Sequence, residues 1–320
     1  MTKQKMVIIL AILLIAAIAL TFFLESRYDI FFDDPGSAKN ELSYGGKDYV
    51  LKKGLKTVLL LGLDELDRAN DSTGNNLFAD SILLLVIDEK KETCRIIRID
   101  PGTVAQVNVL GFAGNKIGTE TKPIALAHTY GNGKEVSCRN VANAVSDLLL
   151  GVDVDHFVSW RSDAIAAYTD LVGGVTLELL EDFIDASDGF KKGDTVTLTG
   201  EQAVKYIAAR EDEEGEQDSS RAERQRQFME RLLDSTRGMA AQDGQFVARA
   251  AVSLAEYLVT DCSSFRLKSI FRQMAQFAPE FATEIDGERV NGAEHVEFYP
   301  SEDSLTRVVI ECFYEEKPAD

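Results

Sequence analysis

Two short stretches inside the chain are apolar almost without interruption. Thr57-Val-Leu-Leu-Leu-Gly-Leu63 and Ser81-Ile-Leu-Leu-Leu-Val-Ile87 lack both the alternation of a half-exposed strand and the length of a helix. Such runs match strands buried on both faces, so each is expected in the centre of a sheet. A charged turn, Asp88 to Glu92, separates the second run from Thr93-Cys-Arg-Ile-Ile-Arg-Ile99, which predicts an antiparallel hairpin and hence a mixed sheet.

Helical spacing follows. Val141, Val145, Leu148 and Leu149 share a face within Cys138 to Leu150, and a second helix over Ser162 to Leu171 meets a Gly173-Gly174 stop. Strand-like runs come after each, Val154 to Trp160 and Val175 to Leu180. Thr199 and Gly200 introduce a helix through Ala209, and Ser219 to Gly238 makes a longer one with Phe228 and Leu232 spaced for burial. Further helices are expected over Phe246 to Leu258 and Ser264 to Phe277. This order predicts the α/β class, an α/β/α layered domain with a central mixed β-sheet, and no repeat interrupts it.

The N-terminus has a different pattern. Lys3 and Lys5 precede Met6 to Leu24, nineteen residues without a charge, Gly or Pro. As a helix this span is about 28 Å long, close to the hydrocarbon core of a bilayer. Basic residues ahead of it place residues 1–5 in the cytoplasm and the rest outside, a single-pass cell-membrane protein whose main domain is extracytoplasmic. Ala17 and Ala19 offer the alternative of a cleaved signal peptide, but Leu20 to Leu24 continue the apolar run past them, which favours one retained transmembrane helix, 6–24. Residues 25–54, with turn signals at Asp33-Asp34-Pro35-Gly36 and Gly45-Gly46, form a juxtamembrane connector. Residues 55–240 then make the domain core, and 241–320 supply C-terminal helices and strands of the same domain.

Charge narrows the function. With 53 acidic against 34 basic residues the net charge is -19, which opposes attachment to nucleic acid or to anionic lipid over most of the surface. A polyanionic ligand must meet a local basic cluster. Cys94, Cys138, Cys262 and Cys312 form no CxxC pair and are expected as buried thiols. There is no GxSxG, HExxH, Walker or GxGxxG motif, and only His128, His156 and His295 are available to a histidine-centred metal site, which is not expected.

What remains is carboxylates at strand ends and arginines near helix starts. Asp64 closes the first apolar run and Asp80 opens the second. On neighbouring strands they can share Mg²⁺ (or Mn²⁺), a hard cation that takes carboxylate and phosphate oxygens. Turn chemistry is the alternative for an aspartate at a strand end. Further on, Tyr206-Ile-Ala-Ala-Arg210 is followed by Arg221-Ala-Glu-Arg224-Gln225, and on a helix Arg221, Arg224 and Gln225 share a face. Forked guanidiniums beside an amide suit phosphate oxygens, and a solvated helix with surface ion pairs is the competing reading.

Leu60-Leu-Gly-Leu-Asp64, Ala79-Asp80-Ser-Ile-Leu-Leu-Leu, Ala127-His-Thr-Tyr-Gly131, Val172-Gly-Gly-Val175 and Arg221-Ala-Glu-Arg-Gln225 occur in an order and spacing that resembles the LytR-CpsA-Psr family, over residues 56 to 235. The resemblance implies a fold that encloses a polyprenyl tail, with the pyrophosphate at a mouth lined by arginines and metal-binding aspartates. It assigns Asp64 and Asp80 to the metal and, with Arg221, to catalysis. Arg210, Arg221, Arg224 and Gln225 fall on substrate-binding positions. The implied activity is transfer of a glycopolymer phosphate from a polyprenyl pyrophosphate carrier to peptidoglycan in cell-wall assembly, with no nucleic acid as partner.

Two departures stand against it. Where the family has proline or asparagine followed by Arg-Asp-Thr, this chain has Asp100-Pro101-Gly102-Thr103, and the first arginine of an RxR pair is Ala208. Two cations expected beside the pyrophosphate are therefore absent. Arg98, three residues before Pro101, is the candidate replacement, although strand alternation would face it the other way. The alternative function is a weakened or inactive paralogue that binds lipid-linked precursor in envelope assembly or sensing.

Overall fold

A computed structural model of the chain describes residues 38–65, 77–111, 113–161, 163–183, 189–208, 217–243, 245–254, 257–277, 279–292 and 296–318. The chain forms two compact units. One comprises Ser26–Trp160, Val259–Cys262 and Arg272–Asp320, and the other includes Arg161–Leu258 and Ser263–Phe271.

The elements begin with β1 (Glu41–Tyr44), β2 (Lys47–Leu51), β3 (Leu55–Glu65), β4 (Leu77–Asp88), β5 (Thr93–Ile99), β6 (Val104–Leu110) and β7 (Lys116–Pro123). A 3₁₀ turn (Ile124–Thr129), helix α1 (Glu135–Leu148) and β8 (His156–Arg161) follow. Next come α2 (Asp163–Leu171), β9 (Val175–Glu178), β10 (Thr195–Leu198), α3 (Gly200–Ala208), α4 (Gln217–Gln242) and α5 (Phe246–Ser253). The last are β11 (Leu258–Thr260), α6 (Ser264–Phe277), β12 (Glu280–Phe281), β13 (Gly287–Asn291), β14 (Val296–Pro300), α7 (Glu302–Phe313) and β15 (Tyr314–Glu316).

The main sheet has the order β11-β8-β3-β4-β5-β12. The two apolar runs are its central strands, as their pattern predicts. The β3–β4 and β4–β5 pairs are antiparallel and β5–β12 is parallel, so the class is mixed α/β with a central mixed sheet. Leu59, Leu61, Leu63, Ile82, Leu84, Val86, Ile97 and Ile99 face one core with Val141, Val145 and Leu149 of the α1 segment and Val308 and Val309 of α7. Val58, Leu60, Leu83, Leu85, Ile87 and Ile96, on the opposite face, are buried as well. Continuous apolarity is the signature of this double burial.

The second unit is built around helix caps that its sequence signals. Gly173 and Gly174 end α2 in the left-handed region, at φ +82° and +92°, and the Gly174 amide donates to the Thr169 carbonyl at 2.9 Å. Thr199 and Gln202 cap α3 reciprocally: the Thr199 amide donates to Gln202 Oε1 at 2.9 Å and the Gln202 amide to Thr199 Oγ1 at 3.4 Å.

Several boundaries differ from expectation. Part of the connector is ordered structure, because β1 and β2 form a hairpin around Gly45-Gly46, both at positive φ, and β15 pairs with β2. The helix expected over Phe246 to Leu258 ends at Ser253, and Leu258-Val-Thr260 is instead the edge strand beside β8, where β-branched residues fit the pleat. The β6–β7 and β13–β14 hairpins had no counterpart in the pattern. All four cysteines are buried thiols. The Met6 to Leu24 span lies outside the described residues, among which no helix is long and apolar enough to cross a membrane.

Candidate functional site

A register shift sets the positions of the two carboxylates on the β3–β4 ladder. Gly62 pairs with Ser81 and Leu63 with Ala79, so Asp80 is the extra residue of a β-bulge, while Asp64 pairs with Phe78. Asp64 and Asp80 are therefore diagonal neighbours across the bulged ladder. Both are half-buried. Gly62 makes room beside them: a Cβ there would stand 3.0 Å from Ser81 Cβ and 3.5 Å from Trp160 Nε1.

Arg98 is exposed and pairs with Leu83. Because Ile97 and Ile99 face the α1 core, alternation puts Arg98 on the other face, which it shares with Gly62 and Asp64. Ile99 pairs with Ile82, so the end of β5 stands beside the bulge. Pro101 lies in the turn past that end, and strand alternation does not carry through to it.

That turn is bound to the C-terminal hairpin. The Phe298 amide donates to the Gly102 carbonyl at 2.8 Å, and a Cβ at position 102 would stand only 2.6 Å from the Val296 carbonyl oxygen. Asp100 accepts from the Gly102 amide at 2.8 Å and pairs with the Arg289 guanidinium, which also lies over the Phe298 ring. Arg289 thus brings a guanidinium to the segment where Pro101 lacks one. Nothing in the local sequence signals this, because residue 289 is placed by the pairing of β14 rather than by its neighbours.

His128, in the Ala127-His-Thr-Tyr-Gly131 segment, secures the start of β4. It is fully buried, and its Nδ1 lies 3.0 Å from the Leu77 carbonyl. A carbonyl only accepts, so Nδ1 carries the proton. Its Nε2 is 3.6 Å from Cys138 Sγ, and the Cys138 thiol donates to Ser159 Oγ at 3.2 Å. Burial lowers the His128 pKa to about 4, against which the Leu77 hydrogen bond acts to raise it. The same burial pushes the Cys138 thiol up to about 12, which removes it as a nucleophile.

The arginine cluster lies in the other unit. Arg224, on α4, is 1% exposed. Its Nη1 pairs with Glu181 and its Nε donates to the Tyr206 carbonyl at 3.0 Å. Next to it the Tyr206 hydroxyl donates to Gln227 Oε1 at 3.0 Å, and Gln227 Nε2 donates to the Glu178 carbonyl at 2.6 Å. Arg224 therefore clamps α4 to the chain after β9. Arg221 and Gln225 lie on the same helix, and Ala208 is the last residue of α3. Arg210 falls outside the described residues.

Known proteins resemble the chain over most of its length. A polyisoprenyl-teichoic acid–peptidoglycan teichoic acid transferase, TagU of Halalkalibacterium halodurans, is 25% identical over 240 residues, 73% of this chain and 71% of the relative. The crystal structure of Bacillus subtilis TagV shares the fold at a TM-score of 0.52 and 21% identity, covering 82% of this chain and 97% of that one. A crystal structure from Streptococcus agalactiae superposes at 0.57 with 18% identity, covering 81% and 86%. The sequence pattern of the LytR_cpsA_psr family matches residues 33–302, a span that takes in both the bulged carboxylate pair and the arginine helix, and the chain belongs to that family.

Proposed function

We propose that this protein is a cell-envelope transferase that moves a glycopolymer phosphate from a polyprenyl pyrophosphate carrier to peptidoglycan. In this reading Met6 to Leu24 anchors it in the membrane, the folded part is extracytoplasmic, and an α/β/α layering encloses the lipid tail. One observation carries the proposal: Asp64 and Asp80 lie diagonally across the β3–β4 ladder in a chain of this family, whose relative from H. halodurans is named a teichoic acid transferase.

The pair fits Mg²⁺ (or Mn²⁺), since two half-buried carboxylates offer oxygen donors alone and leave the remaining positions to phosphate and water. A bound ion would offset negative charge on the pyrophosphate. Arg98 would add a cation on the same sheet face, and Arg289 would supply one beside Pro101. Arg210, Arg221 and Gln225 would bind pyrophosphate oxygens, as the family resemblance implies, while Arg224 would hold Glu181.

A second reading, a paralogue that binds the lipid-linked precursor without turning it over, is favoured by the turn at residue 102. With the Val296 carbonyl so close, aspartate cannot be restored there without moving β14. A gain-of-function test therefore uses Ala208→Arg. The full-length protein in detergent, given a polyprenyl-pyrophosphate-linked polymer, peptidoglycan fragments and Mg²⁺, should transfer polymer. Asp80→Asn should weaken Mg²⁺ binding and slow transfer at least about tenfold, and Ala208→Arg should speed it about tenfold, roughly 1.4 kcal/mol of barrier. Donor binding without transfer selects the second reading. Absence of both binding and transfer removes both readings.

A further inference from the structure

His156 opens β8, and Asp261 and Cys262 follow β11 on the neighbouring strand. The Thr57 amide donates to Asp155 Oδ2 at 2.8 Å and Thr57 Oγ1 to the Asp153 carbonyl at 2.8 Å, so this corner sits by the start of β3. Asp64 is seven residues further along that strand, about 23 Å away. The corner is thus separate from the carboxylate pair already described.

We propose that His156, Asp261 and Cys262 form a Zn²⁺ site. One ligand atom from each, an imidazole nitrogen, a carboxylate oxygen and the thiol sulfur, lies within 4.8 Å of the other two. Independently of that grouping, His156 Nδ1 is buried without a hydrogen-bond partner. It stands 3.3 Å from Asp261 Oδ1 but off the hydrogen-bond direction. A buried imidazole nitrogen in that state carries a desolvation cost that a coordinated cation removes.

The carboxylate is already oriented for the role. Arg139 pairs with Asp261 Oδ2, while Oδ1 accepts from the Phe157 amide at 3.0 Å and is turned toward His156. Arg139 is itself fixed, donating to the Val154 carbonyl at 2.8 Å with its guanidinium 5.3 Å from the Phe157 ring centroid. This is the outer shell that metal-binding carboxylates commonly have. The Cys262 amide donates to Thr260 Oγ1 at 3.1 Å, which sets the loop that presents the sulfur.

Donor type selects the ion. Sulfur and imidazole disfavour Mg²⁺ and Ca²⁺, whereas thiolate, imidazole and carboxylate together are a zinc set. Tetrahedral bonds of roughly 2.0–2.3 Å put ligand atoms roughly 3.3–3.8 Å apart, so side-chain rotations of about 1 Å close the site. The thiol proton leaves to solvent as sulfur binds, and water completes the coordination. Such an ion ties the end of β11 to the start of β8 and stabilises the edge of the sheet by linkage. The sequence offers no hint of it, because His156 lies more than a hundred residues before Asp261 and Cys262.

The test uses the full-length protein in detergent, stripped with a chelator and kept in excess Mg²⁺ so that the carboxylate pair does not compete. Calorimetric titration with Zn²⁺ should give one ion per chain, and Co²⁺ should give a sulfur-to-cobalt charge-transfer band. Cys262→Ser should abolish the band, and the near-isosteric Asp261→Asn should weaken Zn²⁺ at least about tenfold. Circular dichroism melting checks that both variants fold, and Asp261→Asn decides the matter alone if Cys262→Ser does not. No Zn²⁺ uptake overturns the proposal, as does uptake that neither substitution alters.

Discussion

His128 shows how one side chain reports on its burial. Its pKa of about 4 lies below the ordinary value of 6.5, so between these pH values the unfolded chain takes up a proton that the folded chain refuses. The associated stability is complete above about pH 6.5 and is lost as pH falls toward 4, by up to about 3 kcal/mol. His128→Asn keeps a donor for the Leu77 carbonyl and removes the titration. Melting temperature followed from pH 7 to 4.5 should therefore fall less steeply in that variant, and parallel profiles would show that His128 does not titrate in this window. At this scale the sequence was partly legible. The positions of Asp64 and Asp80 beside apolar runs mark them as candidates, but the bulge at Asp80 depends on which residues of β3 and β4 pair, and no local pattern encodes a register shift. Arg224 was legible as a phosphate-type arginine and is instead buried, because the pattern of a helix face does not say which chain covers it.

Among the elements, α4 carries a buried polar contact. Its buried face carries Phe228 and Leu232 together with Arg224, whose charge is matched by Glu181. Removing one partner of such a pair leaves the other uncompensated, so Arg224→Ala should cost about 3–5 kcal/mol, read as a lower urea midpoint. Replacing both partners with apolar residues, Arg224→Met with Glu181→Leu, should recover most of that loss. A double variant as unstable as the single would show that the uncompensated charge is not the cause and would point to the lost bond to the Tyr206 carbonyl. Elements with strong periodicity or explicit caps were readable: β3, β4, β5, α1 and the Thr199 cap of α3 follow their local signals. The β6–β7 hairpin was not, since Val104 to Leu110 is only partly apolar and its pairing with Lys116–Pro123 supplies the order. For β11 the neighbour decides, because three residues beside β8 become strand only once β8 is in place.

For the whole molecule, the proposed orientation has a direct check. A phosphatase fused after Asp320 should be active if Lys3 and Lys5 stay in the cytoplasm and the acidic bulk is exported. Activity confined to a cytoplasmic reporter at the same position would reverse the topology. The division into units was not legible, because the chain leaves the sheet unit at Trp160 and returns twice, over Val259–Cys262 and from Arg272. The same long-range wiring constrains residue 102. The Gly102 backbone sits against β14, so the absence of a side chain there and the seating of a hairpin nearly two hundred residues later depend on each other. Any side chain at position 102 would have to push β14 aside, which makes the glycine a requirement set by a distant strand rather than by its own turn.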